Sequence, residues 1–211
     1  EITGLIDHII ENSINVIETP SSYAEAMLSE EKDQWKKAMN EEMFSLNENE
    51  TWKLVSLPLG RKPIGCKWVF KKKEDEKGNI VRFKCRLVAQ GFTQKYGVDY
   101  DAIFAPVGKQ VTFRILLVLA MERKLVLHHV DVKCAYLHGK LEEEIYMKQP
   151  KGFEDKNQEL VCFLKKGIYG LKQGAKVWND TIDKQFKNLG FKQSEADHCL
   201  YIRENENSLC Y

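Results

Sequence analysis

The stretch His128-His129-Val130-Asp131-Val132-Lys133-Cys134-Ala135-Tyr136-Leu137-His138-Gly139 decides how the rest of the chain is read. An apolar run, Leu125–Val130, brings one carboxylate, Asp131, to its end, and an aromatic, Tyr136, follows shortly after. A strand that ends in a carboxylate and then turns under a ring is suited to holding a metal ion beside a nucleotide sugar. Taken alone, Asp131 reads as well as an ordinary cap or ion-pair partner. Phosphoryl transfer with two metal ions needs at least two such carboxylates. No obvious second one appears before Tyr211.

Working outward, 211 residues suffice for one large domain or two small ones, and a hydrophobic fraction of 43% is enough for a sizeable core. A net charge of +1 gives no whole-molecule attraction to a polyanion, but the charges are unevenly placed. Lys67, Lys71, Lys72 and Lys73 form one basic cluster, continued by Arg82, Lys84 and Arg86, and Lys165, Lys166, Lys172 and Lys176 form another. Acids gather near the N-terminus at Glu30, Glu31, Asp33, Glu41 and Glu42. Such asymmetry can build a basic groove in a neutral protein, or simply solvated faces. The six cysteines contain no Cys-x-x-Cys pair, and His198 with Cys199 lacks a partner pair at zinc-ligand spacing. No secretory signal and no apolar run near ~18 residues are seen, so a reduced intracellular protein with buried thiols and no membrane contact is expected.

Residues Glu1–Thr19 read as a leader or linker. Ser22 and Glu25 make a capping box for a short helix over Tyr23–Leu28. A second helix is expected over Glu30–Leu46, with Trp35, Met39, Met43 and Leu46 on one stripe. Thr51–Leu57 reads as a strand. Lys67–Lys73 and Ile80–Phe92 read as the arms of a hairpin around the charged turn Glu74–Asn79. Val111–Arg123 is an apolar helix. Leu125–Val132, Ile145–Lys148 and Leu160–Leu164 are strands, Ala175–Leu189 is a helix, and Leu200–Arg203 with Ser208–Tyr211 flank a polar turn. This order argues an α+β fold.

Two further pieces carry chemistry. The basic hairpin can close over a triphosphate or a template backbone, or remain an ordinary solvated hairpin. In Tyr169-Gly170-Leu171-Lys172-Gln173, Gly170 permits close approach of a flat ligand, a weak signal by itself.

Taken in order, these pieces and their neighbours resemble the reverse transcriptase domain of copia-type LTR retrotransposon polyproteins. The carrying motifs are Trp35-Lys-Lys-Ala-Met39, Asn49-Glu-Thr-Trp52 with Leu54-Val55, and Lys67-Trp-Val-Phe-Lys-Lys-Lys73. They continue through Arg82-Phe-Lys-Cys-Arg-Leu-Val-Ala-Gln-Gly-Phe92, Gly97-Val-Asp-Tyr100, Phe104-Ala-Pro-Val107 and His129-Val-Asp-Val-Lys133. Tyr146-Met-Lys-Gln-Pro150, Gly152-Phe153 and Ile168-Tyr-Gly-Leu-Lys-Gln173 complete them. The resemblance implies polymerase fingers and a partial palm behind an N-terminal helical segment. Its divisions are a leader at 1–19, the helical segment at 20–65, fingers with the basic hairpin at 66–108 and partial palm at 109–211.

The resemblance also implies roles. Asp131 is the catalytic magnesium ligand, manganese being an alternative ion, and the Val132 carbonyl assists. Tyr136 floors the sugar site and favours deoxynucleotides. Lys84 and Arg86 meet the incoming triphosphate, while Tyr169 and Gly170 support the nascent base pair. Lys71, Lys73, Arg82 and Gln173 contact nucleic acid. The implied partners are an RNA or DNA template with primer, deoxynucleoside triphosphates, and the integrase and RNase H regions of one polyprotein. The implied setting is cytoplasmic, in a virus-like particle for an active element. The implied reaction is attack of a primer 3′-hydroxyl on the α-phosphate, with metal ions at the attacking and leaving oxygens.

Departures from the family pattern are present. Gly174-Ala175-Lys176 stands where Ala-Pro-Arg is usual, losing a fixed φ and a bidentate fork. Cys85 stands where Ala is frequent. The family's Tyr-Val-Asp-Asp turn is expected after Ser208–Tyr211 and lies outside this sequence. With one carboxylate contributor, the chain alone is expected to be inactive. The alternative reading is a non-catalytic, element-derived nucleic-acid-binding or interaction module.

Overall fold

A computed structural model describes residues 19–205 and 208–211. The expected leader therefore lies outside the described residues apart from Thr19, as does the tip of the last hairpin. Period-two alternation organises the centre. Strands β2 (Cys66–Glu74) and β3 (Ile80–Ala89) pair antiparallel, with Trp68 opposite Leu87, Phe70 opposite Cys85 and Lys72 opposite Phe83. These pairs share one face, where Trp68, Phe70, Cys85 and Leu87 are buried. The opposite face carries Val69 with Arg86, Lys71 with Lys84 and Lys73 with Arg82. The turn between the arms is tied by Asp75, whose Oδ1 accepts the Lys77 and Asn79 N–H groups at 2.9 and 2.8 Å.

The apolar face is covered by helix. Helix α1 (Tyr23–Leu28) starts at Ser22, whose hydroxyl accepts the Glu25 N–H at 3.2 Å. Glu25 reaches back to Ser21 rather than to Ser22, accepting its N–H at 2.8 Å, so the Ser22 half of the expected capping box forms and only the return bond moves by one residue. Helix α2 (Lys32–Glu48) begins and ends two residues later than the stripe suggested. Its Trp35 stands edge-on to Phe70 and Phe83, with centroids 5.3 and 4.7 Å away. Met39 and Leu46 follow it into the core.

A second sheet orders β1 (Trp52–Val55), β5 (Val161–Lys166) and β4 (Lys140–Met147), all antiparallel. Its Ile145, Met147, Cys162 and Leu164 join Met39 and Leu46 in one core cluster. Helix α3 (Gln110–Glu122) and helix α4 (Gly174–Asn188) follow the expected spans closely. The last strands, β6 (Lys192–Gln193), β7 (Tyr201–Asn205) and β8 (Ser208–Cys210), make a small separate sheet. The whole is mixed helix and antiparallel strand, as an α+β reading requires. Among the described residues no helix is long and apolar enough to cross a membrane.

Two expectations are corrected. Leu125–Val132 is not a strand: it is open chain, with Val126 and Val130 80% and 81% exposed. A strand exists only where a neighbour takes its backbone N–H and C=O groups, and among the described residues no strand pairs with it. Helix α3 shares the consequence, since Phe113, Val118 and Met121 stay exposed and only Ala120 is buried. The thiols also divide. Burial pushes Cys85 and Cys162 up to about 12 and Cys66 to about 11, while Cys134, Cys199 and Cys210 lie at the surface.

Helix α3 is anchored from a distance. Asp197, in the loop before β7, accepts the Lys109 N–H at 2.8 Å and the Cys199 N–H at 2.9 Å. With the Thr112 side chain, these donors hold its pKa at about 2. A depressed carboxylate stabilises the fold above its unfolded pKa, and that contribution disappears as pH falls toward the folded value. We therefore expect Asp197→Asn to lower the urea midpoint at pH 6, and the gap from wild type to shrink as pH drops from about 4 to about 2. A gap that is constant across that window would show that the charge of Asp197 is irrelevant to the anchor.

Candidate functional site

A cavity of about 600 Å³ opens between helix α2, strand β3, the segment Asp131–Leu137 and the turn at Ile168–Tyr169. Strand β3 contributes Arg82, Lys84 and Arg86, and the open segment contributes Asp131 and Val132. Tyr136 enters from a short 3-10 turn over Ala135–His138. That turn starts at Cys134, which holds a left-handed φ of 54° and lies 3.1 Å from the Ser45 hydroxyl of α2. A non-glycine residue in that conformation stores backbone strain beside the segment bearing Asp131.

The rings and cations interlock. Tyr136 and Tyr169 meet edge to face, centroids 5.6 Å apart and planes at 70°. The Arg86 guanidinium carbon stands 5.3 Å from the centre of the Tyr169 ring. The turn is bolted to the hairpin by backbone: the Ala89 N–H donates to the Tyr169 carbonyl at 2.8 Å. Gly170, at φ +92°, packs directly under Ala89, so that a Cβ there would overlap the Ala89 carbonyl oxygen.

The structure thus gathers Asp131, Val132, Tyr136, Arg82, Lys84, Arg86 and Tyr169 around one cavity. Lys71 and Lys73 stand outside its wall, across the ladder from Lys84 and Arg82 on the same basic face. Gln173 is placed elsewhere. It is buried, its Oε1 accepts from Gln94 Nε2 at 3.0 Å, and its Nε2 donates to the Asp99 carbonyl at 2.8 Å. Gln94 also accepts the Lys172 N–H at 2.8 Å, so the two amides tie the loop after β3 to the turn before α4.

A family model described as "Reverse transcriptase (RNA-dependent DNA polymerase)" matches residues 49–210. The chain belongs to the reverse transcriptase family. It is 47% identical over 191 residues to the Retrovirus-related Pol polyprotein from transposon TNT 1-94 of Nicotiana tabacum, which covers 90% of this chain and 14% of that polyprotein. It is 40% identical over 181 residues to the corresponding polyprotein from transposon RE2 of Arabidopsis thaliana, over 85% of this chain and 12% of the relative. These plant relatives are polyproteins of copia-type transposons, the group to which the motifs pointed. The Transposon Ty1-LR2 Gag-Pol polyprotein of Saccharomyces cerevisiae (strain ATCC 204508 / S288c) is 28% identical over 213 aligned positions. The chain spans about one seventh or less of the length of these curated relatives. No solved structure matches it.

Reverse transcriptases as a family generally use divalent metals. The hard oxygens that line the cavity beside the ring are the Asp131 carboxylate and the Val132 backbone carbonyl, of the type magnesium takes. They amount to part of a coordination set: among the described residues no three His, Cys, Asp or Glu side chains converge on one point.

The motifs of this reverse transcriptase chain did not single out Glu42. Glu42 lies on α2 three residues after Met39 and seven after Trp35, so it falls on the apolar stripe. A carboxylate on such a stripe needs a partner, and that was the available signal. Its Oε1 accepts the Leu87 N–H at 3.3 Å. Burial raises its pKa, against the Leu87 hydrogen bond and the attraction of Arg86 and Lys84. Glu41 beside it forms an ion pair with Arg82 at 3.3 Å.

Proposed function

We propose that the cavity is the nucleotide site of an RNA-directed DNA polymerase, with residues 66–108 as fingers and 109–211 as part of the palm. One observation carries this reading: the carboxylate, the ring and the basic strand share one cavity although they come from distant parts of the chain. Asp131 and Val132 would hold the metal, which when bound supplies positive charge to the reacting phosphate. Lys84 and Arg86 neutralise the triphosphate in a wall that needs no rearrangement. In this reading the Tyr136 ring floors the sugar site and crowds a 2′-hydroxyl, which favours deoxynucleotides. Tyr169 holds both the ring and the Arg86 guanidinium in place.

Lys71 and Lys73, with Arg82, lie on the basic face and suit a template backbone. Like charges directly opposite one another destabilise a hairpin by ~0.2–1 kcal/mol per pair. Lys71–Lys84 is such a pair, an arrangement that a polyanion would relieve, whereas Arg82 opposite Lys73 already faces Glu41. Gln173 acts on the template through the turn it supports. The natural partners of the chain are template and primer, deoxynucleoside triphosphates, and the integrase and RNase H regions of the same polyprotein, in a cytoplasmic particle. The basic face also favours a second reading, a nucleic-acid-binding module without a nucleotide site.

A competition experiment separates the two. Labelled primer–template should bind weakly, in the non-specific range of ~10⁻⁴–10⁻⁶ M, and lose affinity steeply with salt. A fluorescent deoxynucleoside triphosphate with magnesium should bind as well, and Lys84→Glu with Arg86→Glu should weaken it at least about tenfold, equivalent to ~1.4 kcal/mol. Nucleic-acid binding that persists without any triphosphate binding would favour the module.

A further inference from the structure

We propose that Glu42 is the built-in counter-anion of this cavity, competing with a bound triphosphate for Lys84 and Arg86 and so setting how tightly the triphosphate is held. The inference rests on the reading of the cavity as a triphosphate site. The polar wall is nearly balanced: Arg82, Lys84, Arg86 and Lys133 face Glu41, Glu42 and Asp131. Asp131 has an assigned task toward the metal, and Glu41 is engaged with Arg82. Glu42 has neither. It is half-buried on the face of α2 that meets β3, and it lines the same cavity as Lys84 and Arg86, the two cations assigned to the phosphates.

Its hydrogen bond to β3 explains how it is held there. Leu87 follows Arg86 on β3, and its N–H donates to Glu42 Oε1. Helix α2 thereby covers an edge group of the strand, and the same contact fixes a negative charge beside Arg86. A purely structural cap requires only an oxygen acceptor at this position, which glutamine supplies equally well. The charge is an addition beyond that need, and it carries a desolvation cost that burial makes visible in the raised proton affinity of the side chain. A fixed carboxylate among cations prepared for phosphate lowers the affinity for any further anion. In this way the basic strand stays compensated when no triphosphate is present, and product pyrophosphate, which meets the same repulsion, leaves more readily.

The discriminating experiment is a gain of binding, which a damaged fold does not produce. The full chain is titrated with a deoxynucleoside triphosphate and, separately, with inorganic triphosphate, both with magnesium. Glu42→Gln keeps the Leu87 hydrogen bond and removes the charge, and should tighten both ligands about five- to tenfold. Glu42→Asp keeps the charge and shortens the side chain, and should show no tightening. If Glu42→Gln leaves both affinities unchanged while Lys84→Glu weakens them, the cavity is a triphosphate site and Glu42 is only a strand cap, which overturns the proposal. If neither wild type nor Glu42→Gln binds either ligand, the underlying reading of the cavity falls and the proposal falls with it.

Discussion

Gly170→Ala is expected to destabilise the fold by about 3 kcal/mol or more, a large share of the ~5–15 kcal/mol that holds a typical domain. Two effects add. The residue holds φ +92°, a conformation that strains any side chain by ~1–3 kcal/mol. An added Cβ would also overlap the Ala89 carbonyl oxygen and approach Val88 Cγ1 to 2.7 Å. Neither neighbour can retreat cheaply. The Ala89 N–H is bonded to the Tyr169 carbonyl and the Gln90 N–H to the Gly65 carbonyl, each at 2.8 Å. Gly91 closes the same joint from the other side, where a Cβ would overlap the Gly170 carbonyl oxygen. Gly78, at φ +81° in the tip of the hairpin with open space around it, is the control. Gly78→Ala carries conformational strain alone and should lose about 1 kcal/mol. Urea unfolding followed by circular dichroism measures both variants. Equal losses would mean that the joint between hairpin and turn is not closely packed.

Asp131→Asn should reduce primer extension at least about a hundredfold, ~2.7 kcal/mol of barrier, in a polymerase that contains this segment with the rest of its palm. Asparagine keeps the shape of the side chain and loses the charge that a cation needs. Asp131 is exposed, and the described residues around it form open chain, so the substitution should leave unfolding unchanged. Template binding, which we propose runs through the basic face of the hairpin, should stay within about twofold. A variant that retains a tenth or more of the wild-type rate would remove Asp131 from the catalytic assignment.

Much of the fold was legible because its signals are local. The two extended arms Lys67–Lys73 and Ile80–Phe92 around the charged turn Glu74–Asn79 implied a hairpin, and the ladder pairs them so; the buried face of Trp68, Phe70, Cys85 and Leu87 was seen only in the structure. The stripe through Trp35, Met39 and Leu46 gave helix α2, with its end shifted by two residues because capping geometry is a weak signal beside the period. The site was legible in part. The residue types at Asp131, Tyr136, Lys84, Arg86 and Tyr169 were chosen by motif, and they line one cavity. Gln173 was not legible as a buried residue, because its two partners, Gln94 and Asp99, are more than seventy positions away. Glu42 was hidden for the same reason, since its partner Leu87 lies on another element.

By itself, the sequence determined the elements whose order depends on near neighbours: the helices, the hairpin with its charged turn Glu74–Asn79, and the family to which the motifs belong. Only the tertiary structure decided three other things. It left Leu125–Val132 as open chain, because a strand needs backbone partners that no local pattern can supply. It brought Asp131 to the basic strand, because their shared cavity forms by packing across a long loop. It set the charge balance of that cavity through Glu42, because electrostatic neighbours are defined by distance in space, and a carboxylate forty-five residues from Leu87 becomes its partner only when helix α2 folds along strand β3.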